Sequence, residues 1–294
     1  MVPQPLSHTK MDWYTRLLQP QRVAATAFIA GCFLLSAMRA QSQFLPHYSA
    51  FAALPVAALP DAPQPKVQDP NPSAQEEVTV RNSPSIFLHD EIAIWTSPAR
   101  LRLHDLKWIA PLALATGAAF ATDNRTMVTV VSHDPSFNSA NVNVSDALVG
   151  GLIATPVALF AAGEIGHDDR ARETGILGGE ALADGLVVSE VFKVVSWRVR
   201  PSIDGARGQF FQSSAGIDGS FDSMHTTLAF SAASVIASEY HSPWVQVAAY
   251  TGATAVGVTR VLGQQHFPSD VIIGATTGWL IGHYVVKHHH HARH

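Results

Sequence analysis

Three short polar clusters stand out between Lys193 and Asp270 from apolar surroundings rich in Ala and Gly. They run from Lys193 through Arg200 to Pro201, from Ser220 through Asp222, Ser223, Met224 and His225 to Thr226, and from Thr259 through Arg260 and His266 to Asp270. The groups that could do chemistry are the cations of Lys193, Arg200 and Arg260, the imidazoles of His225 and His266, and the carboxylate of Asp270. Such a set suits a tetrahedral oxyanion such as phosphate. Cations neutralise the equatorial oxygens, one imidazole attacks in line, the other protonates the leaving oxygen, and the carboxylate orients the attacking ring.

The spacings say how a backbone would gather these groups. Lys193 and Arg200 are seven apart, nearly two turns on one helix face. Pro201 disfavours helical geometry at Arg200, so the helix should stop there and both cations should converge at its end. Ser223 precedes an apolar helical run and reads as an N-cap with His225 in the first turn, where free N–H groups and the helix dipole favour an anion. Asp222 fits two roles: it could cap this helix and raise the pKa of His225, or it could repel a phosphate dianion. His266 and Asp270 flank Pro268, a good first-turn residue. Their spacing would let Asp270 accept a hydrogen bond from one imidazole nitrogen and leave the other free.

The clusters resemble the signature of the type 2 phosphatidic acid phosphatase (PAP2) superfamily, which also holds bacterial acid phosphatases and vanadium haloperoxidases. Its pattern is K-x6-R-P, then P-S-G-H, then S-R-x5-H-x3-D. Lys193 to Arg200-Pro201 fits the first element, and Arg260, His266 and Asp270 fit the third, with Thr259 in place of Ser. In the middle element Ser223 and His225 match, while Asp222 stands for Pro and Met224 for Gly. The resemblance, over roughly residues 100–287, implies an all-α compact helical bundle. It implies a phosphatase in which His266 carries a transient phosphoryl group, Asp270 orients it, and His225 serves as acid and then base. Lys193, Arg200 and Arg260 would grip the phosphate oxygens, with the backbone at Ser223 and Met224 helping. If that backbone needs positive φ, Met224 would be strained by roughly 1 kcal/mol or more.

Three cations and a helix end supply the charge that Mg²⁺ provides in other phosphoryl-transfer sites, so neither a metal nor a cofactor is expected. The substrate expected is a phosphorylated small molecule or a lipid phosphate or pyrophosphate. Two rival readings use the same pocket. One is a haloperoxidase that keeps vanadate as cofactor. The other is a phosphate- or headgroup-binding protein whose altered middle element no longer turns over.

The remaining chain must position these groups. It has 294 residues, 47% hydrophobic and only 14% charged, against roughly 25% charged in ordinary soluble proteins. A net charge of −4 gives no reason to expect nucleic-acid binding. Residues 1–42 read as a secretory signal cleaved after Ala40 or Ser42, as an uncleaved anchor, or as a lipoprotein leader processed at Cys32. Each of these directs the remainder out of the cytoplasm. Residues 43–86 are rich in Pro and Ala and read as a disordered linker, residues 87–287 as the catalytic domain, and residues 288–294 as a His-rich tail.

Within the domain a buried helix is expected over Trp108–Thr122, a loop with small helical pieces over 126–143, and a helix over Asp146–Gly163 kinked at Pro156. His167 to Arg170 reads as a solvated turn, and Glu173–Trp197 as one long helix whose Glu180 and Asp184 pair with arginines of neighbouring helices. Residues 202–221 read as a Gly/Ser-rich loop suited to substrate contacts. Helices are expected over Thr226–Glu239, Trp244–Leu262 and Ser269–Lys287. The uncharged runs span about 13–19 residues against the ~20 of a transmembrane helix. They favour a soluble or peripherally attached bundle.

Overall fold

A computed structural model of the chain describes residues 83–212 and 219–289. The predicted signal or anchor, nearly all of the predicted linker and the tail beyond His289 lie outside the described residues. Within them the fold is all-α, with seven α-helices and no strand. The helices are α1 (Ser83–Thr96), α2 (Leu106–Thr129), α3 (Pro135–Gly166), α4 (Asp169–Ser196), α5 (Met224–Glu239), α6 (Pro243–Leu262) and α7 (Pro268–His289).

Local chemistry sets most of the boundaries. Asp134 caps α3 by accepting from the amides of Ser136 and Phe137, with Pro135 at the first helical position. Asp168 caps α4 through the amides of Arg170 and Ala171. The turn expected over His167–Arg170 is confined to His167 and Asp168, with His167 left-handed at the end of α3 and Asp169 and Arg170 already in α4. Helix α4 stops at Ser196 because Trp197 adopts φ 41° and donates its N–H to the Lys193 carbonyl, a left-handed ending. It therefore ends before Arg200, and Lys193 and Arg200 are not on one helical face.

Two further expectations are corrected. Helix α2 runs to Thr129 and buries only Thr116, Ala119, Asp123 and Met127. The Asp123–Arg125 stretch does not end it, because Asp123 turns inward to a buried partner. The Asn- and Ser-rich stretch expected as a loop is the first part of α3, and only Val130–Asp134 separates α2 from α3. With that extension α3 reaches 32 residues, long and apolar enough to cross a membrane by length and composition.

Helix α5 is the central rod: every residue from Thr226 to Ala237 is buried. Leu228, Phe230 and Ala233 pack with Val149 of α3, Tyr250 and Val256 of α6 and Ala275 of α7. Val235 packs with Leu177 and Val188 of α4 and Ile281 and Val285 of α7. Helix α7 approaches α5 so closely that a Cβ on Gly278 would lie 2.1 Å from the Thr227 carbonyl oxygen. A third cluster, with Met127, Val261, Phe267 and Val271, lies beneath the loop before α7. These contacts bring the end of α4, the start of α5, the end of α6 and the start of α7 to one place.

Candidate active site

The three polar clusters meet there. His266 follows the end of α6 and is 2% exposed. Its Nδ1 is 2.7 Å from the Ser220 carbonyl oxygen. A carbonyl only accepts, so Nδ1 carries the proton and Nε2 keeps its lone pair. Burial lowers the His266 pKa well below the usual imidazole value, reinforced by the charges of Arg260 and Arg200. The ring is therefore neutral at pH 7, with a nucleophilic nitrogen near two guanidinium groups.

Asp270 is not the direct partner of His266. Its Oδ2 is 3.9 Å from Nδ1, too far for a hydrogen bond. Instead Oδ2 accepts from the Ser220 hydroxyl and from the Phe267 amide at 2.9 Å, and Oδ1 accepts from Arg198. Asp270 thus fixes the Ser220 segment, and Ser220 fixes the ring.

His225 occupies the first turn of α5, as its sequence position suggested. Its Nε2 is 3.1 Å from Asp146 Oδ1, and Arg260 reaches the same oxygen at 3.1 Å. Burial holds the His225 pKa down to about 4, with Arg260 lowering it further, Asp146 opposing, and Lys193 adding a smaller downward pull. Lys193 lies in the last turn of α4 and pairs with Glu190 at 3.2 Å. Arg200 donates to Gln265 Oε1 at 2.5 Å, next to His266. A cleft of about 420 Å³ opens beside this pair, lined by polar groups that include Asn138, Asn143, Ser202 and Gln264.

The middle cluster differs from both readings of Asp222. Its carboxylate points inward, where Thr227 donates to Oδ2 at 2.6 Å. Burial raises its pKa, partly offset by hydrogen bonds from Thr227 and Ser189. It neither caps α5 nor pairs with His225; Asp146 takes the latter part. Ser223 is at the N-cap position, but its hydroxyl bonds Thr226 Oγ1 at 2.8 Å instead of an amide. No side chain caps α5, which leaves its first-turn N–H groups facing the cluster. Met224 begins the helix and is not among the residues with positive φ, so the feared strain does not arise.

Three supports escaped the sequence reading. Arg198 is 3% exposed and binds Asp123 Oδ2 at 2.7 Å, Ser269 Oγ at 2.8 Å, the Gly208 carbonyl at 3.1 Å, and Asp270. Its guanidinium also lies 4.1 Å from the Phe267 ring centre. Asp123 accepts from the Ser269 amide as well, at 3.1 Å. Asp146 bridges His225 and Arg260 from α3. A lone carboxylate inside an apolar helix was the available signal for Asp123 and Asp146. No spacing rule separates Arg198 from Arg200.

Part of this chain is similar to known proteins. Residues 175–293 match the PAP2 superfamily. The match covers less than half of the chain. It holds all the sequence-predicted site residues, whereas Asp123 and Asp146 precede it. A lipid A 1-phosphatase of Porphyromonas gingivalis is 31% identical over 182 residues, covering 60% of this chain and 37% of that protein. The chain thus spans little more than a third of that curated relative. A crystal structure of a transmembrane PAP2-type phosphatidylglycerolphosphate phosphatase from Bacillus subtilis covers 70% of this chain and 95% of its own, at 18% identity and a TM-score of 0.41.

Proposed function

We propose that the protein is an extracytoplasmic, membrane-associated PAP2-type phosphatase that acts on an amphiphilic phosphate ester, through a phosphohistidine on His266. The observation that carries this reading is the commitment of His266 Nδ1 to the Ser220 carbonyl, with Nε2 left as the lone pair beside the cations.

In the first step Nε2 attacks phosphorus and the bond to the leaving oxygen breaks. His225, once protonated, gives its proton to that oxygen. Lys193, Arg200, Arg260 and the first-turn amides of α5 hold the equatorial oxygens as charge redistributes. In the second step neutral His225 takes a proton from water, the resulting hydroxide attacks phosphorus, and the P–N bond breaks to release phosphate. The charges that depress the His225 pKa in the free site would be offset by the bound dianion, favouring the protonated acid when it is needed. None of these steps calls on a metal or cofactor.

A lipid-type substrate is supported by apolar surface beside the cations. Val194, Val195, Trp197 and Phe211 are all exposed around the Lys193–Arg200 turn. Exposed Leu114 on α2, with Val157 and Ile165 on α3, supports seating of these helices in a bilayer, with α3 as a span. The relative named for lipid A points to the same substrate class. The extracytoplasmic placement rests on the apolar N-terminal segment.

The test is hydrolysis of an aryl phosphate and of a lipid phosphomonoester by the full chain in detergent, beside a His266→Ala variant. Turnover blocked by vanadate and lost in the variant supports the reading. Phosphate binding without turnover would instead identify a binding protein, and bromide oxidation with bound vanadate would identify a haloperoxidase.

A further inference from the structure

Glu180 and Asp184 do not find the arginine partners expected for them. They lie one turn apart on α4, 7% and 0% exposed, and none of their four carboxylate oxygens has a hydrogen-bond partner. Asp90 of α1, fully buried, faces them, and the electrostatic neighbours of Asp184 are Asp90, Glu91 and Glu180, all acidic. The balancing group is His289 at the end of α7, whose Nε2 lies 2.8 and 2.9 Å from the two Asp90 oxygens. Buried carboxylates without donors are costly, and the imidazole, beside Asp90 and Glu180, leaves an excess of negative charge over these two and Asp184.

One ligand atom from each of Asp90, Glu180 and His289 lies within 4.8 Å of the others. We propose that Asp90, Glu180 and His289 bind a divalent transition-metal ion of the Zn²⁺ class, with Asp184 facing it from the next turn of α4. Zinc takes imidazole nitrogen and carboxylate oxygen at about 2.0–2.2 Å, so small side-chain adjustments would close the three atoms on one ion. Imidazole in the set favours a first-row transition metal over Ca²⁺ or Mg²⁺, which prefer oxygen alone. The ion would take the place of the proton shared between His289 Nε2 and Asp90, so binding releases a proton. His289 is only partly buried, which gives the ion a route inward. Glu180 is thirteen residues from Lys193 on α4, about 20 Å along the helix. The site is therefore remote from the phosphate-binding cluster and independent of the phosphatase reading. Its role would be to tie α1 to α4 and the end of α7.

The experiment titrates ZnCl₂ into the full chain in detergent, by calorimetry and thermal melting. The background is a variant in which His290, His291 and His294 are changed to Ala, which removes adventitious binding by the tail. One tight equivalent and a raised Tm are expected in that background. Asp90→Asn and Glu180→Gln, each close in shape to the native residue, should weaken binding at least ~10-fold, and His289→Gln should do the same if either fails to fold. Loss of the tight site on changing the tail alone overturns the proposal. So does undiminished binding in the Asp90 and Glu180 variants, which would leave these carboxyls protonated in the native protein.

Discussion

The Ser220 carbonyl accepts the His266 Nδ1 proton at 2.7 Å, and the hydroxyl of the same serine donates to Asp270. One residue thus joins the aspartate of the third cluster to the histidine it was expected to touch. The backbone contact sets the tautomer, and the side-chain contact sets where the backbone sits. Arg198 completes the chain, because the Ser220 amide donates to its carbonyl at 2.7 Å while its guanidinium holds Asp270.

Removing the hydroxyl should therefore loosen the ring without changing its tautomer. Ser220→Ala keeps the carbonyl and loses one hydrogen bond, worth about 1 kcal/mol, so kcat is expected to fall about fivefold with KM little changed. Steady-state kinetics on an aryl phosphate measure this. An unchanged kcat would mean that Asp270 does not act on His266 through Ser220.

Arg198 should matter first for folding. Arg198→Ala leaves Asp123 and Asp270 buried without their cation and is expected to cost about 3–5 kcal/mol, read from denaturant unfolding in detergent. Arg198→Lys should rescue little, since one ammonium cannot reproduce the fork that meets Asp123, Ser269, Gly208 and Asp270. Full stability in the lysine variant would contradict this account.

The pairing of Asp146 with His225 predicts a pH effect of definite sign. The His225 pKa is held near 4 in the fold by burial and Arg260, and Asp146 is the group pulling it up. Asp146→Asn should move the His225 titration in NMR, and the matching limb of kcat/KM, to lower pH. A move to higher pH would contradict the assignment. For stability, the folded pKa lies below the unfolded value of about 6.5. The unfolded chain then binds the proton first, so this group's contribution declines as pH falls from about 6.5 towards 4.

The α5–α7 contact should tolerate no added atom at its closest point. Gly278→Ala places a Cβ against the Thr227 carbonyl and is expected to destabilise the protein by about 1–3 kcal/mol. Helix α5 carries His225 and α7 carries Asp270, so activity should fall with stability. A neutral melting temperature would show that the helices separate more easily than this packing implies.

The helical fold and the grouping of the polar clusters were legible in the sequence, for physical reasons that differ by residue. Lys193, Arg200, His225, Arg260 and His266 were singled out because chemistry at one phosphate needs those types, and their side chains come near one another in the fold. Helices α5, α6 and α7 were placed within about two residues because caps and prolines mark their ends. The end of α4 was missed because Trp197 takes a left-handed conformation that proline rules do not report. The start of α3 was missed because Asn and Ser resemble a loop until Asp134 is recognised as a cap. Arg198, Asp123 and Asp146 act across sequence gaps that no local pattern spans. Asp222 turned inward because Thr227, five residues on, offers it a hydroxyl.

The most direct test is to trap the covalent intermediate. The full chain in detergent would be mixed with ³²P-labelled substrate, quenched in alkali, and the labelled residue identified, with the attachment atom assigned by NMR. The account predicts an alkali-stable, acid-labile phosphoryl group on Nε2 of His266, absent in His266→Ala. Label on Nδ1, label on another residue, or turnover that survives in His266→Ala would contradict it.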